Sequence, residues 1–197
     1  MLKIVTMVLA AVALTGCAAL NQVTSDVSTY SQWPAQRKPG TYAFERLPSQ
    51  QARPEAQQQL EDAARRAIEG AGFTPAADAA SAEFVVQVGA RVSLDDRSVY
   101  PDPFWWRMGF YQGRRWPSHW GTGIGFGYVS SPTYEREAAL LIRDRQSGAP
   151  LYEARAVSDG MSSSIVTLLP ALFDAAMKDF PYGGVNPRRV TTELGPR

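Results

Sequence analysis

The clearest alternation in the chain runs over residues 84–94. Phe84, Val86, Val88, Ala90, Val92 and Leu94 take one side, and Gln87, Arg91 and Ser93 take the other, with Val85 and Gly89 among them. A period of two predicts a β-strand with one face on a core and one face wetter. Residues 22–30 (QVTSDVSTY) are rich in Thr, Ser and Val and predict a first strand; Thr41-Tyr42-Ala43-Phe44 predicts a short second one. Residues 133–145 read as another long strand, which the turn Gln146-Ser147-Gly148-Ala149-Pro150 returns as a hairpin over 151–157. Residues 188–194 read as a last edge strand.

Helical spacing takes over twice. Pro54 suits a first helical turn, and Leu60, Ala64, Ala67, Ile68 and Ala71 then recur on one face, with Glu61, Asp62, Arg65, Arg66 and Glu69 on the other. Gly70, Gly72 and Pro75 end this helix, and its narrow alanine-rich stripe predicts close packing on a sheet. Ile165, Leu168, Leu169, Leu172, Phe173, Ala176 and Phe180 form a second stripe, which Pro170 either kinks or starts. Ser162, Ser163 and Ser164 are candidate N-caps for it. Residues 47–53 read as a polar stretch broken by Pro48. The order predicts an α+β domain: an antiparallel sheet of about five or six strands, two helices packed on one face, and a long insert between two strands.

One apolar run belongs to no core. Residues 4–14 follow Lys3, are too short to span a bilayer, and lead into Leu14-Thr15-Gly16-Cys17. This pattern resembles the bacterial lipoprotein signal, in which the chain is cut before the cysteine, diacylglycerol is joined to its thiol and the new amine is acylated. The resemblance implies a signal peptide over 1–16, a lipidated Cys17 with a tether over 17–21, and one domain over 22–197. Ala18, rather than Asp, implies by the same resemblance an outer-membrane, periplasm-facing address in a Gram-negative cell. Two or more acyl chains anchor stably, at about 0.8 kcal/mol per buried methylene. The tether is about four residues at roughly 3.5 Å each, so the domain sits close to its leaflet.

Composition narrows the chemistry. Without Lys3 the basic and acidic residues are equal in number, which argues against a nucleic-acid partner. Cys17 is the only cysteine, and lipidation consumes its thiol, so stability must come from packing rather than from a disulfide. A cysteine metal site is excluded, and one histidine does not make a zinc site. We expect no metal and no cofactor.

Residues 100–133 are unlike the rest. They hold Trp105, Trp106, Trp116 and Trp120 with six further aromatic residues, Arg107, Arg114 and Arg115 interleaved, and six glycines. In Gly121-Thr122-Gly123-Ile124-Gly125-Phe126-Gly127 the glycines alternate at strand period, leaving a flat face that rings or another backbone could approach. This is not a dinucleotide fingerprint, because Phe126 stands where a third glycine is required and no βαβ unit surrounds it. A connection this long is functional or disordered as a rule, and so many aromatics argue against disorder. Three readings stay open: a second small core over the sheet, a membrane contact in which Trp sits among headgroups and Arg pairs with phosphate, or a recognition surface for a ligand or protein.

No catalytic constellation stands out. His119 lies between Ser118 and Trp120 without a nucleophile-elbow motif nearby. Asp95, Asp96 and Asp102 cluster before the insert, but a cation site needs more oxygen ligands at defined spacing. The Arg65-Arg66 and Arg188-Arg189 pairs read as solvated faces.

Ser25-Asp26-Val27, Trp33-Pro34, Thr41-Tyr42-Ala43-Phe44, Gly72-Phe73, Asp179-Phe180-Pro181 and Arg188-Arg189-Val190, in that order, resemble the bacterial lipoproteins of the DUF4136 family. That resemblance implies no reaction and no catalytic residue. The leading expectation is a non-enzymatic, membrane-anchored envelope lipoprotein that binds an envelope protein or component. The alternative is a carrier holding lipid or another small ligand at the aromatic insert; an envelope hydrolase is a third class. A continuous apolar cavity would favour the carrier. A filled interior with an open sheet edge would favour partner binding.

Overall fold

The computed structural model describes residues 21–95 and 133–195. Its elements are β1 (Gln22–Ser31), β2 (Thr41–Phe44), α1 (Pro48–Gln51), α2 (Pro54–Gly70), β3 (Thr74–Pro75), β4 (Phe84–Asp95), β5 (Thr133–Asp144), β6 (Pro150–Gly160), α3 (Leu169–Met177) and β7 (Arg188–Glu193). The strands form one sheet in the order β3-β2-β4-β5-β6-β1-β7. Neighbours from β4 to β7 are antiparallel, whereas β2 runs parallel to both β4 and β3. The expected antiparallel sheet of five or six strands is therefore corrected to a mixed sheet of seven. The cause is α2, which carries the chain over the sheet between β2 and β4; a parallel pair needs such a crossover, while a hairpin turn yields an antiparallel one. β1 is not β2's neighbour but lies at the other side, between β6 and β7.

The helices also differ from expectation. The polar stretch around Pro48 contains the single turn α1, with proline at its first position, where its missing N–H costs nothing. Helix α3 starts only at Leu169, with Pro170 in its first turn and no side-chain cap. Ser162–Ser164 are not its caps, and the Ser162 hydroxyl instead accepts from the Ser164 N–H at 3.1 Å. Helices α2 and α3 pack on each other and on one face of the sheet, α2 over β4 and α3 over β5, β6, β1 and β7.

The sheet's inner face supplies Val27, Phe84, Val86, Ala138, Leu140, Ile142, Ala154 and Ala156, all buried. Small residues on β5 and β6 let α3, with Ala171, Ala175 and Ala176 buried, approach closely. At one end an aromatic cluster closes the two layers. The Trp33 ring stacks on Phe84 at 5.1 Å between centroids and meets Phe180 edge-on at 4.8 Å. Phe73 lies edge-on to Phe84 at 5.4 Å, and Tyr152 meets Phe180 at 5.2 Å. The Tyr152 hydroxyl donates to the Ala176 carbonyl at 2.9 Å, satisfying its only polar group inside the core.

Strand register gives the sheet two distinct ends. Phe84 lies opposite Asp144, and Ser31 opposite Tyr152, at the aromatic end. At the other end Leu94 lies opposite Tyr134, which in turn lies opposite Gly160. The start of β1 is there too, because Gln22 pairs with Glu193 at the end of β7 and β1 runs antiparallel to β6. The chain therefore enters β1 at the end of the sheet where β4 ends and β5 begins.

Asp144 pins the aromatic end. One carboxylate oxygen accepts from the Ser147 N–H at 2.8 Å and its hydroxyl at 2.7 Å, and the other accepts from Arg37 at 2.7 Å. These donors, Ser147 first and Arg37 after it, hold the carboxyl well below the usual carboxylate range. A depressed pKa stabilises the fold fully above the unfolded value of about 3.9 and ceases to do so as the pH falls through the folded one. Asp144→Asn should therefore flatten the acid limb of a urea-midpoint profile below about pH 4. Phe73→Ala, at a site 2% exposed, should cost about 3–5 kcal/mol in the same assay at neutral pH.

Candidate functional site

Strand β2 is much shorter than β4, and this mismatch leaves an edge. Pairing between them reaches only Phe44 and Val86, with one more bond from the Glu45 N–H to the Val86 carbonyl at 2.9 Å. The chain then turns away. Arg46 grips the buried Glu61 on α2 through two bonds of 2.6 and 2.7 Å and reaches Gln58 at 2.7 Å. A bidentate charge-assisted pair of this kind fixes direction as well as position. It steers the backbone into α1, whose Gln50 side chain donates to the Val88 carbonyl at 2.8 Å.

The Val86 and Val88 carbonyls both point toward β2. Strand alternation therefore aims the backbone N–H and C=O groups of Ala90, Val92 and Leu94 at the same edge. Among the described residues none pairs with them there. Their side chains take the helix-facing side, yet they run past the helices. Val92 is 38% exposed, Leu94 is 62% exposed, and Ala90 is exposed as well. The sequence pattern places all three on the core face; among the described residues the packed core on β4 stops at Val88.

A groove of about 510 Å³ adjoins this edge, between the first half of α2, residues 165–169 and β4. Leu60, Ala90, Ile165 and Leu169 line it together with the polar Gln50 and Gln57. Beside it Arg136, opposite Val92 on β5, is only 8% exposed. Its guanidinium donates to the Asp159 carbonyl at 2.7 Å and to the Ser158 carbonyl at 3.3 Å. Burial lowers its pKa, so these carbonyl dipoles compensate a desolvated cation.

The sheet's other face is charged. Glu137, nearly buried, bridges Arg91 at 2.5 Å and Arg155 at 3.0 Å. Glu45 takes Gln87 at 2.7 Å and also Arg143. A second groove, about 610 Å³, lies at the aromatic end between the final turns of α2 and α3. There burial pushes the Asp174 carboxyl up, and Arg66 at 3.2 Å partly offsets the shift. The arginine pairs read as solvated are thus partly committed: Arg66 meets Asp174, and Arg188 makes a two-bonded pair with Asp179.

Cys17, Trp105, Trp106, Arg107, Arg114, Arg115, Trp116, Trp120 and His119 lie outside the described residues, as do Asp96 and Asp102. The edge at Ala90, Val92 and Leu94 is a site that the sequence pattern alone does not reveal. The signal for it is the disparity between a four-residue β2 and a β4 three times as long.

These features define a two-layer α+β domain with a closed aromatic end and, among the described residues, an uncovered apolar stretch of the β4 edge at the other end. The chain belongs to the DUF4136 family, a domain of unknown function whose profile matches residues 26–182. No curated protein matches it in sequence. In fold it is similar to a PDZ domain protein from Parabacteroides distasonis, with a TM-score of 0.53 and 12% identity over 87% of this chain. The match takes in 38% of that protein, so this chain spans well under half of its length. A DUF4136 family protein from Bacteroides thetaiotaomicron aligns at a TM-score of 0.36 and 19% identity, over 79% of this chain and 96% of that one. A PelC dodecamer from Paraburkholderia phytofirmans aligns at 0.40 and 12%, over 77% and 95%.

If the distal β4 face is open, charges there are cheap. Val92→Lys and Leu94→Lys should each stay within about 0.5 kcal/mol of the parent protein in urea unfolding. A loss several times larger would place both side chains in a second core under residues 96–132.

Proposed function

We propose that this chain is a non-enzymatic, lipid-anchored module of the bacterial envelope, facing the periplasm from the outer membrane, that holds a protein partner by strand addition to β4. The observation that carries the reading is the edge at Ala90, Val92 and Leu94, where backbone groups without a partner among the described residues coincide with exposed apolar side chains. An open edge is a template for another strand, and β-strand addition draws affinity from the backbone and selectivity from alternate side chains. The matching segment is extended, with small or apolar residues at alternate positions. Anchoring rests on the lipoprotein-like pattern at Cys17.

A filled interior supports partner binding over the carrier alternative. Val27, Phe84, Val86, Leu140, Ile142, Leu172 and Phe173 are buried between the layers, and both large grooves lie at the surface with polar residues in their walls.

Photocrosslinking from position 94 of the lipidated chain in cells should capture a partner, and a peptide copied from the captured segment is the decisive reagent. On binding, it should slow amide hydrogen exchange at Ala90, Val92 and Leu94 while leaving Arg91 and Ser93, which face β5, unchanged. Val92→Lys should weaken the peptide roughly tenfold, or about 1.4 kcal/mol. Binding without that alternation would sink the strand-addition reading.

A further inference from the structure

The tether end of the sheet has a second property. Residues 161–168, which lead from β6 into α3, contain no charged residue. Within them Met161 is 79% exposed and Val166 is 61% exposed, and Ser162, Ser163, Ser164 and Thr167 are exposed between and beside them. Leu94, 62% exposed, closes the same end from β4. A soluble surface loop of this length ordinarily carries charge. Here exposed apolar side chains flank a run of hydroxyls, a composition that suits the boundary between acyl chains and headgroups.

From this we infer that the tether end rests on the membrane, with Met161 and Val166 inserted into the headgroup region of the leaflet that holds the anchor. The inference rests on the anchor reading at Cys17. Its geometry comes from the register. Gly160 ends β6 beside the start of β1, and Leu94 ends β4 three strands away. At about 4.8 Å per strand, that span is roughly 14 Å, the same scale as the reach of a four-residue tether. No other end of the sheet can meet the leaflet as directly. Tyr30, Tyr182 and Val185 are also exposed, but they lie at the aromatic end, with Lys178 and the Asp179–Arg188 pair close by. At the tether end itself Asp159 and Glu193 are exposed on the strand positions that face away from the helices. The domain therefore leans with its helix-layer side toward the lipid, and the partner strand on β4 is held beside the membrane surface.

The test uses the full lipidated protein in vesicles of phosphatidylethanolamine and phosphatidylglycerol. Met161→Cys, Val166→Cys, Tyr182→Cys and Val185→Cys each carry an environment-sensitive fluorophore, and Cys17, once lipidated, does not compete for the label. Labels at 161 and 166 should shift to the blue and be quenched by spin-labelled lipids at a depth of about 5–10 Å. Labels at 182 and 185 should respond only to aqueous iodide. Intact-mass measurement of the same sample reports on the anchor. An unmodified Cys17 overturns the anchor reading and this orientation with it. A lipidated protein with labels 161 and 166 open to iodide, or shielded from both quenchers by protein, overturns the orientation alone.

Discussion

Everything in this fold is built outward from the indole of Trp33. It sits in the connection between β1 and β2, two strands on opposite sides of the sheet. Its ring contacts Phe84 at the start of β4, Phe73 just after α2, and Phe180 just after α3. One side chain thus ties the two halves of the sheet to both helices. Its Nε1–H is satisfied locally by the Arg37 carbonyl at 2.8 Å, so the ring enters the core without leaving a polar group stranded. Arg37 in turn lies over the Phe84 ring at 4.4 Å and grips Asp144, so charge and aromatic packing close the same end together.

Among the described residues the other end is not closed. The helices are shorter than the strands they cover, and their aromatic anchors hold their final turns over the far end. The strand tips of β4, β5 and β6 overhang. β2 could have protected the β4 edge, but the Arg46–Glu61 pair draws its continuation onto α2. Glu61 is 3% exposed, and a buried carboxylate is tolerated only with such a partner. The ion pair and the open edge are therefore two outcomes of one routing decision after Phe44.

The asymmetry also orders the functional hypotheses. The start of β1, the uncharged β6–α3 connection and the β4 edge left uncovered among the described residues share one end of the molecule. In the proposed reading, membrane contact and partner binding act side by side, and the aromatic end projects toward the periplasm. Membership of the DUF4136 family supplies the fold but no reaction, so the argument for binding stands on the edge and on the filled interior.

Much of this was legible in the residues. The β4 alternation, the β5–β6 hairpin, the α2 stripe and the edge strand at Arg188–Glu193 follow from local periodicity and turn chemistry, which short-range sterics and hydrogen bonding control. The pattern at Cys17 is likewise written in a few contiguous positions. Strand order was not legible, because placing β1 between β6 and β7 depends on contacts between residues more than a hundred positions apart. Nor was the parallel β2–β4 pair, which follows from where α2 packs. The open edge is the clearest case. Ala90, Val92 and Leu94 repeat the pattern of Phe84, Val86 and Val88 without a break, and only the length of what covers them makes the first three surface and the last three core. Side-chain alternation determines which way a residue faces; tertiary packing decides whether anything is there to meet it.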